Sequence, residues 1–248
     1  MLHALAEGRL LGQRFGSGTP SVLALHGWGR SHRDFDAVLA PLDGDPLDAI
    51  ALDLPGFGSA PAPPDAWGTS EYADLVSLVL DEMTPQVVIL GHSFGGRVGV
   101  QLAAARPQEI RALVLSGVPD LVRRVRRPQA PLRFRVARRL HRWGVVSDER
   151  IEAARQRHGS ADYRAAAGVM RQVLVKTLAE NYDVQLASIR CPISLVWGDD
   201  DMEAPVAGAE ELARTHAGTS LTICPGAGHL TPLTASSALR TAVVEAQV

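Results

Sequence analysis

Residues 87–96, VVILGHSFGG, run from four apolar side chains straight into a serine set between glycines. A continuous apolar run without polar alternation is what a strand covered on both faces requires. Gly91-His92-Ser93-Phe94-Gly95 fits G-x-S-x-G, and a helical pattern follows over about 96–105. A strand that turns abruptly into a helix holds its apex residue in a strained conformation, and small flanking residues keep neighbouring backbone from colliding. Ser93 would then project from the carboxyl edge of a sheet, with the positive end of a helix behind it. A plain Gly-rich turn explains the stretch equally well in isolation. The nucleophile reading demands more of the chain: a base, an acid that orients the base, and donors for an oxyanion.

VLAL (22–25), AIAL (49–52), ALVL (112–115), ISLV (193–196) and SLTI (220–223) are similar short runs bounded by Gly, Pro or Asp. Helical patterns alternate with them at about 33–41, 70–83, 205–215 and 234–246, the second with Thr69 or Ser70 as N-cap. Alternation of this kind predicts an α/β fold, a mostly parallel sheet with helices on both faces. The pattern breaks after Val118. Residues 119–185 hold helices only: a stripe of Leu132, Val136, Leu140 and Trp143, a second helix capped by Ser147, and a third running from Ser160 to about Asn181. The chain therefore divides into a core, 1–118 and 186–248, and a helical insertion, 119–185, over one edge of the sheet.

Composition bounds the function classes. The chain has 248 residues, 46% of them hydrophobic, enough for one full α/β core plus an insertion. No apolar run approaches the ~18 residues of a membrane helix, and the start lacks a cationic segment followed by a long apolar one. The two cysteines do not suggest a disulfide framework; Cys191 opens one strand and Cys224 closes another, at opposite sheet edges. A cytoplasmic protein with no membrane association is expected. A net charge of −2 argues against a nucleic-acid partner, yet 119–185 carries 14 Arg and Lys176 against 7 acids, a surplus of +8 that leaves −10 on the remainder. Arg outnumbers Lys 24 to 1 throughout, so part of that surplus reflects composition.

Among the histidines after Ser93, His141 and His158 fall in charged helical segments and His216 near a helix end. His229 stands in CPGAGHLTP, a punctuated loop after the last strand, at the same edge as Ser93, and is the candidate base. For the acid, WGDDD (197–201) follows ISLV, with Asp120 as a second choice. Adjacent Asp residues could hold a cation, but only Glu203 adds an oxygen ligand nearby, so no metal and no cofactor are expected. Phe94 N–H and Trp28 N–H, the latter in the Gly-flanked turn after VLAL, are the candidate oxyanion donors.

LHGWG (25–29), DLPGFG (53–58), GHSFGG (91–96), WGDDDMEAP (197–205) and GAGH (226–229) stand in the order and spacing of the α/β-hydrolase superfamily. The chain resembles that superfamily everywhere except 119–185, the place of its variable lid. The resemblance implies an eight-stranded sheet with an antiparallel strand near the N-terminus, here about 9–15. It implies that Asp201, in W-G-x-x-D-x-x-x-P, is the acid. Relatives that open epoxides or displace halide use an Asp nucleophile, which Ser93 replaces. The implied activity is a carboxylic ester hydrolase working through an acyl-enzyme on a small-molecule ester. A C–C bond hydrolase, a thioesterase or a slow-turnover signalling protein on the same scaffold are the alternatives. His92 is expected to be packed and structural, and His26 to brace the oxyanion loop. Val118, Phe94, Trp28, Met170 and Leu230 are expected to line an apolar pocket, with Trp143 either joining it or packing within the lid. HGWG, DLPGFG and the Arg-rich insertion also resemble the pimeloyl-carrier-protein methyl ester esterases, which implies an acidic carrier protein docking on the basic lid. GHSFGG departs from the G-W-S-x-G elbow of that group.

Overall fold

The strands pair because their side chains divide cleanly between two faces. Leu23, Leu25, Ile50, Leu52, Ile89, Leu113, Leu115 and Trp197 are buried in one core cluster. The residues interleaved with them, Val22, Ala24, Ala49, Ala51, Val88, Leu90, Ala112, Val114 and Val196, are buried in a second. That is the period-two alternation of a strand with apolar residues on both sides, hence the unbroken apolar runs. The computed structural model describes residues 1–40, 44–121 and 161–248.

Eight strands form one sheet: β1 Leu2–Leu5, β2 Leu10–Phe15, β3 Val22–Leu25, β4 Ala49–Asp53, β5 Val87–His92, β6 Ile110–Ser116, β7 Ile193–Gly198 and β8 Thr219–Cys224. Their order is β1-β2-β4-β3-β5-β6-β7-β8. The β1–β2 and β2–β4 pairs are antiparallel and the rest parallel. This is the α/β-hydrolase fold. Helices α2 (Thr69–Ser77) and α3 (Phe94–Ala105) pack on the larger-residue face, and α1 (Asp36–Leu39) and the C-terminal α9 (Ser236–Glu245) on the other. Between β6 and β7 lie α4 (Ala161–Ala165), α5 (Gly168–Thr177) and α6 (Asp183–Ser188); α7 (Val206–Thr215) and α8 (Thr231–Thr234) follow later.

Several boundaries differ from the sequence reading for local reasons. The SLTI run does not form a doubly covered strand: β8 is the sheet edge, its burial is partial and Ile223 is exposed. The helix expected over 70–83 has Gly68 as N-cap, with Glu71 accepting Gly68 N–H at 2.9 Å, and ends at Ser77 before a 3-10 turn, Leu80–Glu82. The single helix expected from Ser160 splits into α4 and α5 at Ala166–Ala167, where Ala167 is extended (φ −134°, ψ 164°) and Gly168 follows with φ +53°. The pattern at 33–41 resolves into a 3-10 turn, His32–Phe35, and the short α1. Strand β1 had no sequence signal of its own; it pairs with β2 across a turn in which Ala6, Glu7 and Gly8 all have positive φ. No helix among the described residues is long and apolar enough to cross a membrane.

The sheet order places the site. From β3 the chain goes to β4 on one side and then to β5 on the other, so the connections leaving β3 and β5 diverge and open a crevice at their carboxyl ends. The segments after β3, β5, β6 and β7 all emerge at that edge, with Leu25 opposite Gly91 and His92 opposite Ser116.

Candidate active site

Ser93 sits where β5 becomes α3, with φ +50° and ψ −113°. Two backbone bonds hold it there: Ser93 N–H donates to Ser116 O at 2.9 Å and Gly95 N–H to His26 O at 3.0 Å. The glycines are steric requirements. A Cβ on Gly91 would lie 2.6 Å from Gly96 Cα, and one on Gly95 would collide with the backbone of Leu25 and His26. The strained serine is thus fixed by its neighbours rather than by its own preference.

His229 comes from the loop between β8 and α8 and meets Ser93 Oγ through Nε2 at 3.1 Å. Its Nδ1–H donates to Asp201, 2.9 Å from Oδ2 and 3.1 Å from Oδ1. The Asp201 carboxylate is buried and also accepts Glu203 N–H at 2.9 Å and Ala204 N–H at 2.8 Å. Three donors converge on this one carboxylate and leave the imidazole one orientation, with Nε2 turned to the hydroxyl. The neighbouring aspartates differ in role: Asp199 accepts Gly226 N–H at 2.7 Å, pinning the loop that carries His229. Asp120 instead pairs with Arg97 at 3.7 Å. His216 bonds Thr219 and Leu186, while His141 and His158 lie outside the described residues.

Charge on His229 follows from these contacts. Burial alone would lower its pKa, but the hydrogen bond and charge of Asp201, with Glu203 and Asp162 farther out, raise it above the ordinary imidazole value. His92, with ring centroid 5.0 Å from that of His229, behaves oppositely: complete burial, reinforced by His229, pushes it down to about 3. It stays neutral and bonds the Ser116 carbonyl and hydroxyl through Nδ1.

His26 joins two loops. Its Nδ1–H donates to Gly27 O at 2.7 Å, while Nε2 accepts Leu54 N–H at 3.0 Å. Burial lowers its pKa, consistent with an acceptor nitrogen that must remain unprotonated. The turn so braced passes close to the nucleophile: a Cβ on Gly27 would lie 3.4 Å from Ser93 Cβ. Trp28 follows in that turn and stacks edge-on against Phe57 and Phe94, at centroid separations of 4.8 and 5.5 Å.

A cleft of about 420 Å³ opens over Ser93 and His229, walled by Trp28, Phe94, Leu174 and Leu178, with Arg97, Asp162, Met202 and Glu203 among its other lining residues. Of the residues expected to line a pocket, Trp28 and Phe94 do. Val118 is buried against Gly96, Met170 packs its sulfur over Gly56, and Leu230 is half-buried outside this lining; Trp143 lies outside the described residues. Sequence reasoning gave no role to Asp162, and noted Glu203 only as a weak metal ligand. It also gave none to Asp53, whose buried carboxylate accepts His32 N–H and ring N–H at 2.9 and 2.7 Å and Ser59 N–H at 2.7 Å. The DLPGFG motif that contains Asp53 was visible; its partners, brought together only by folding, were not.

Comparison with known proteins gives the family. The profile described as "Alpha/beta hydrolase family" matches residues 22–242. The chain belongs to this family. A pimeloyl-[acyl-carrier protein] methyl ester esterase of Klebsiella pneumoniae subsp. pneumoniae is 33% identical over 102 residues, 41% of this chain and 38% of that protein. Lipase LipV of Mycobacterium tuberculosis is 40% identical over 106 residues, 42% of this chain and 39% of its own. These alignments thus span about two fifths of the relatives' lengths. Among solved structures, an esterase from Exiguobacterium antarcticum superposes with a TM-score of 0.73 at 19% identity, covering 100% of this chain and 99% of that one. At that identity the likeness is one of fold. Two of these similar proteins are named as esterases and one as a lipase.

Proposed function

We propose that this family member hydrolyses carboxylic esters of small to medium acyl chain, with Ser93 as nucleophile, His229 as general base and acid, and Asp201 as the residue that orients and charges the imidazole. The observation that carries this reading is the continuous chain Ser93 Oγ, His229 Nε2, His229 Nδ1, Asp201, with every link between 2.9 and 3.1 Å. Serine is too weak an acid to attack unaided. His229 Nε2 removes its proton as Oγ bonds to the ester carbon, and returns it to the departing alkoxide. Water, deprotonated by the same nitrogen, then releases the acid from the acyl-serine. The N–H groups of Trp28 and Phe94 would receive the oxyanion, one from the turn braced by His26 and the other from the first residue of α3. The segment between β6 and β7 contributes Asp162, Leu174 and Leu178 to the cleft wall, which suits the role of a lid that shapes substrate choice. Most of the arginines that would dock an acidic carrier protein lie outside the described residues, so that partner rests on relatives and composition. The test is p-nitrophenyl ester turnover across an acyl-length series. Ser93→Ala is expected to remove it, by about 10⁶-fold in kcat, with the fold intact by circular dichroism; turnover retained by that variant would refute the assignment.

A further inference from the structure

In the reaction proposed above, His229 Nε2 must hand a proton to the oxygen of the departing alcohol, so whatever lies beside that nitrogen faces the leaving group. Glu203 Oε2 is 3.7 Å from it. Asp162, at the start of α4, lines the same cleft from the opposite chain segment, and Trp28 presents an aromatic wall there. Two carboxylates and an indole around one small volume form the surroundings an alkylammonium group favours. The other charged lining residue, Arg97, is already engaged: its guanidinium donates to Thr177 O and Pro119 O and pairs with Asp120.

We infer that Glu203 and Asp162 are specificity-determining residues that favour esters of amino alcohols, whose cationic leaving group sits between them beside Trp28. The inference rests on the ester-hydrolase reading and extends it to the substrate's alcohol half. The chemistry balances without another reactant. The Ser93 Oγ–acyl bond forms, the acyl–oxygen bond to the amino alcohol breaks, and the Ser93 proton passes through His229 to that oxygen. The ammonium charge is unchanged throughout; its role is attraction. Glu203 is largely exposed, so the attraction is partly screened and must weaken as salt rises.

The direct test compares butyrylcholine with 3,3-dimethylbutyl butyrate, its uncharged isostere, at equal acyl chain. A kcat/KM ratio of about tenfold in favour of the cation is expected at low salt, the sum of two weak, screened ion pairs and one cation–π contact. Glu203→Gln and Asp162→Asn should each reduce that ratio by about twofold, and raised salt should reduce it further. Choline should inhibit p-nitrophenyl butyrate turnover by the unsubstituted protein at about tenfold lower concentration than 3,3-dimethylbutanol, a readout that needs no variant to fold. A ratio of one or below, a ratio unmoved by both substitutions, or equal inhibition by the two alcohols overturns the inference. If p-nitrophenyl butyrate is still hydrolysed in a Ser93-dependent way, the ester-hydrolase reading survives that outcome; if no ester is turned over, both fall.

Discussion

At the scale of single residues the decisive group is His229, whose proton affinity is set by competition. Burial favours the neutral ring, and Asp201 at 2.9 Å favours the cation more strongly, so the pKa ends above the unperturbed ~6.5. Only neutral His229 can accept the Ser93 proton. The acidic limb of kcat/KM against pH should therefore lie above pH ~6.5, with activity falling as pH drops through it. In Asp201→Asn the raising contribution is largely lost while burial remains, so residual activity should show its limb at lower pH. Its kcat should fall by about 10³–10⁴, because an amide also permits the wrong tautomer. A limb that stays in place would show that Asp201 does not set the charge of the ring. Ser93 and His229 stood out in the sequence as chemically committed residue types in punctuated loops after predicted strands, while Asp201 was singled out from Asp199 and Asp200 only by the resemblance to the α/β-hydrolase superfamily. Asp162 and Glu203 carried no such signal, because the place of Glu203 beside His229 Nε2 and of Asp162 in the cleft wall arises only on folding.

At the scale of elements, the β5–Ser93–α3 unit makes the chemistry available, and the glycine behind it is its least replaceable residue. A methyl group on Gly95 would run into the carbonyls of Leu25 and His26, which are backbone and part of buried β3 and its turn. Gly95→Ala should thus cost about 3 kcal/mol or more, read as a fall in urea midpoint, with activity lost beyond the loss of stability because Ser93 is displaced. Unchanged stability would show that the elbow is looser than its contacts indicate. The central strands were readable because both faces are buried and the side chains need only be apolar. β1 and β8 were harder for one shared reason: edge strands bury little, so their residues carry a weak pattern or, in SLTI, a misleading one. The break at Gly168 was missed because an isolated glycine within a helical pattern is tolerated as often as it ends one.

At the scale of the molecule, the segment between β6 and β7 is tied to the core through the start of α2. Glu180 accepts Thr69 N–H at 2.9 Å, Thr69 hydroxyl at 2.6 Å and Tyr182 hydroxyl at 2.7 Å, while Lys176 bonds Glu71 at 2.6 Å and Ala66 O at 3.1 Å. Glu180 therefore supplies a helix cap from far along the chain. Glu180→Ala should lower stability by about 2 kcal/mol with an unchanged denaturant m-value, as one cooperative unit requires. A biphasic transition would mean that the segment unfolds separately. The interruption of the strand–helix alternation after Val118 pointed to a helical insertion, whereas the anchoring by Glu180 and Lys176 depends on which core helix they meet. Distant loops assembled into one activated serine make that serine reactive toward a fluorophosphonate, which labels it directly. Intact-mass and peptide analysis should find a single phosphonyl adduct on the peptide containing Ser93, formed more slowly below the His229 limb and absent from Ser93→Ala. No adduct on the folded protein, or an adduct on another residue, would mean that Ser93 is not the activated nucleophile.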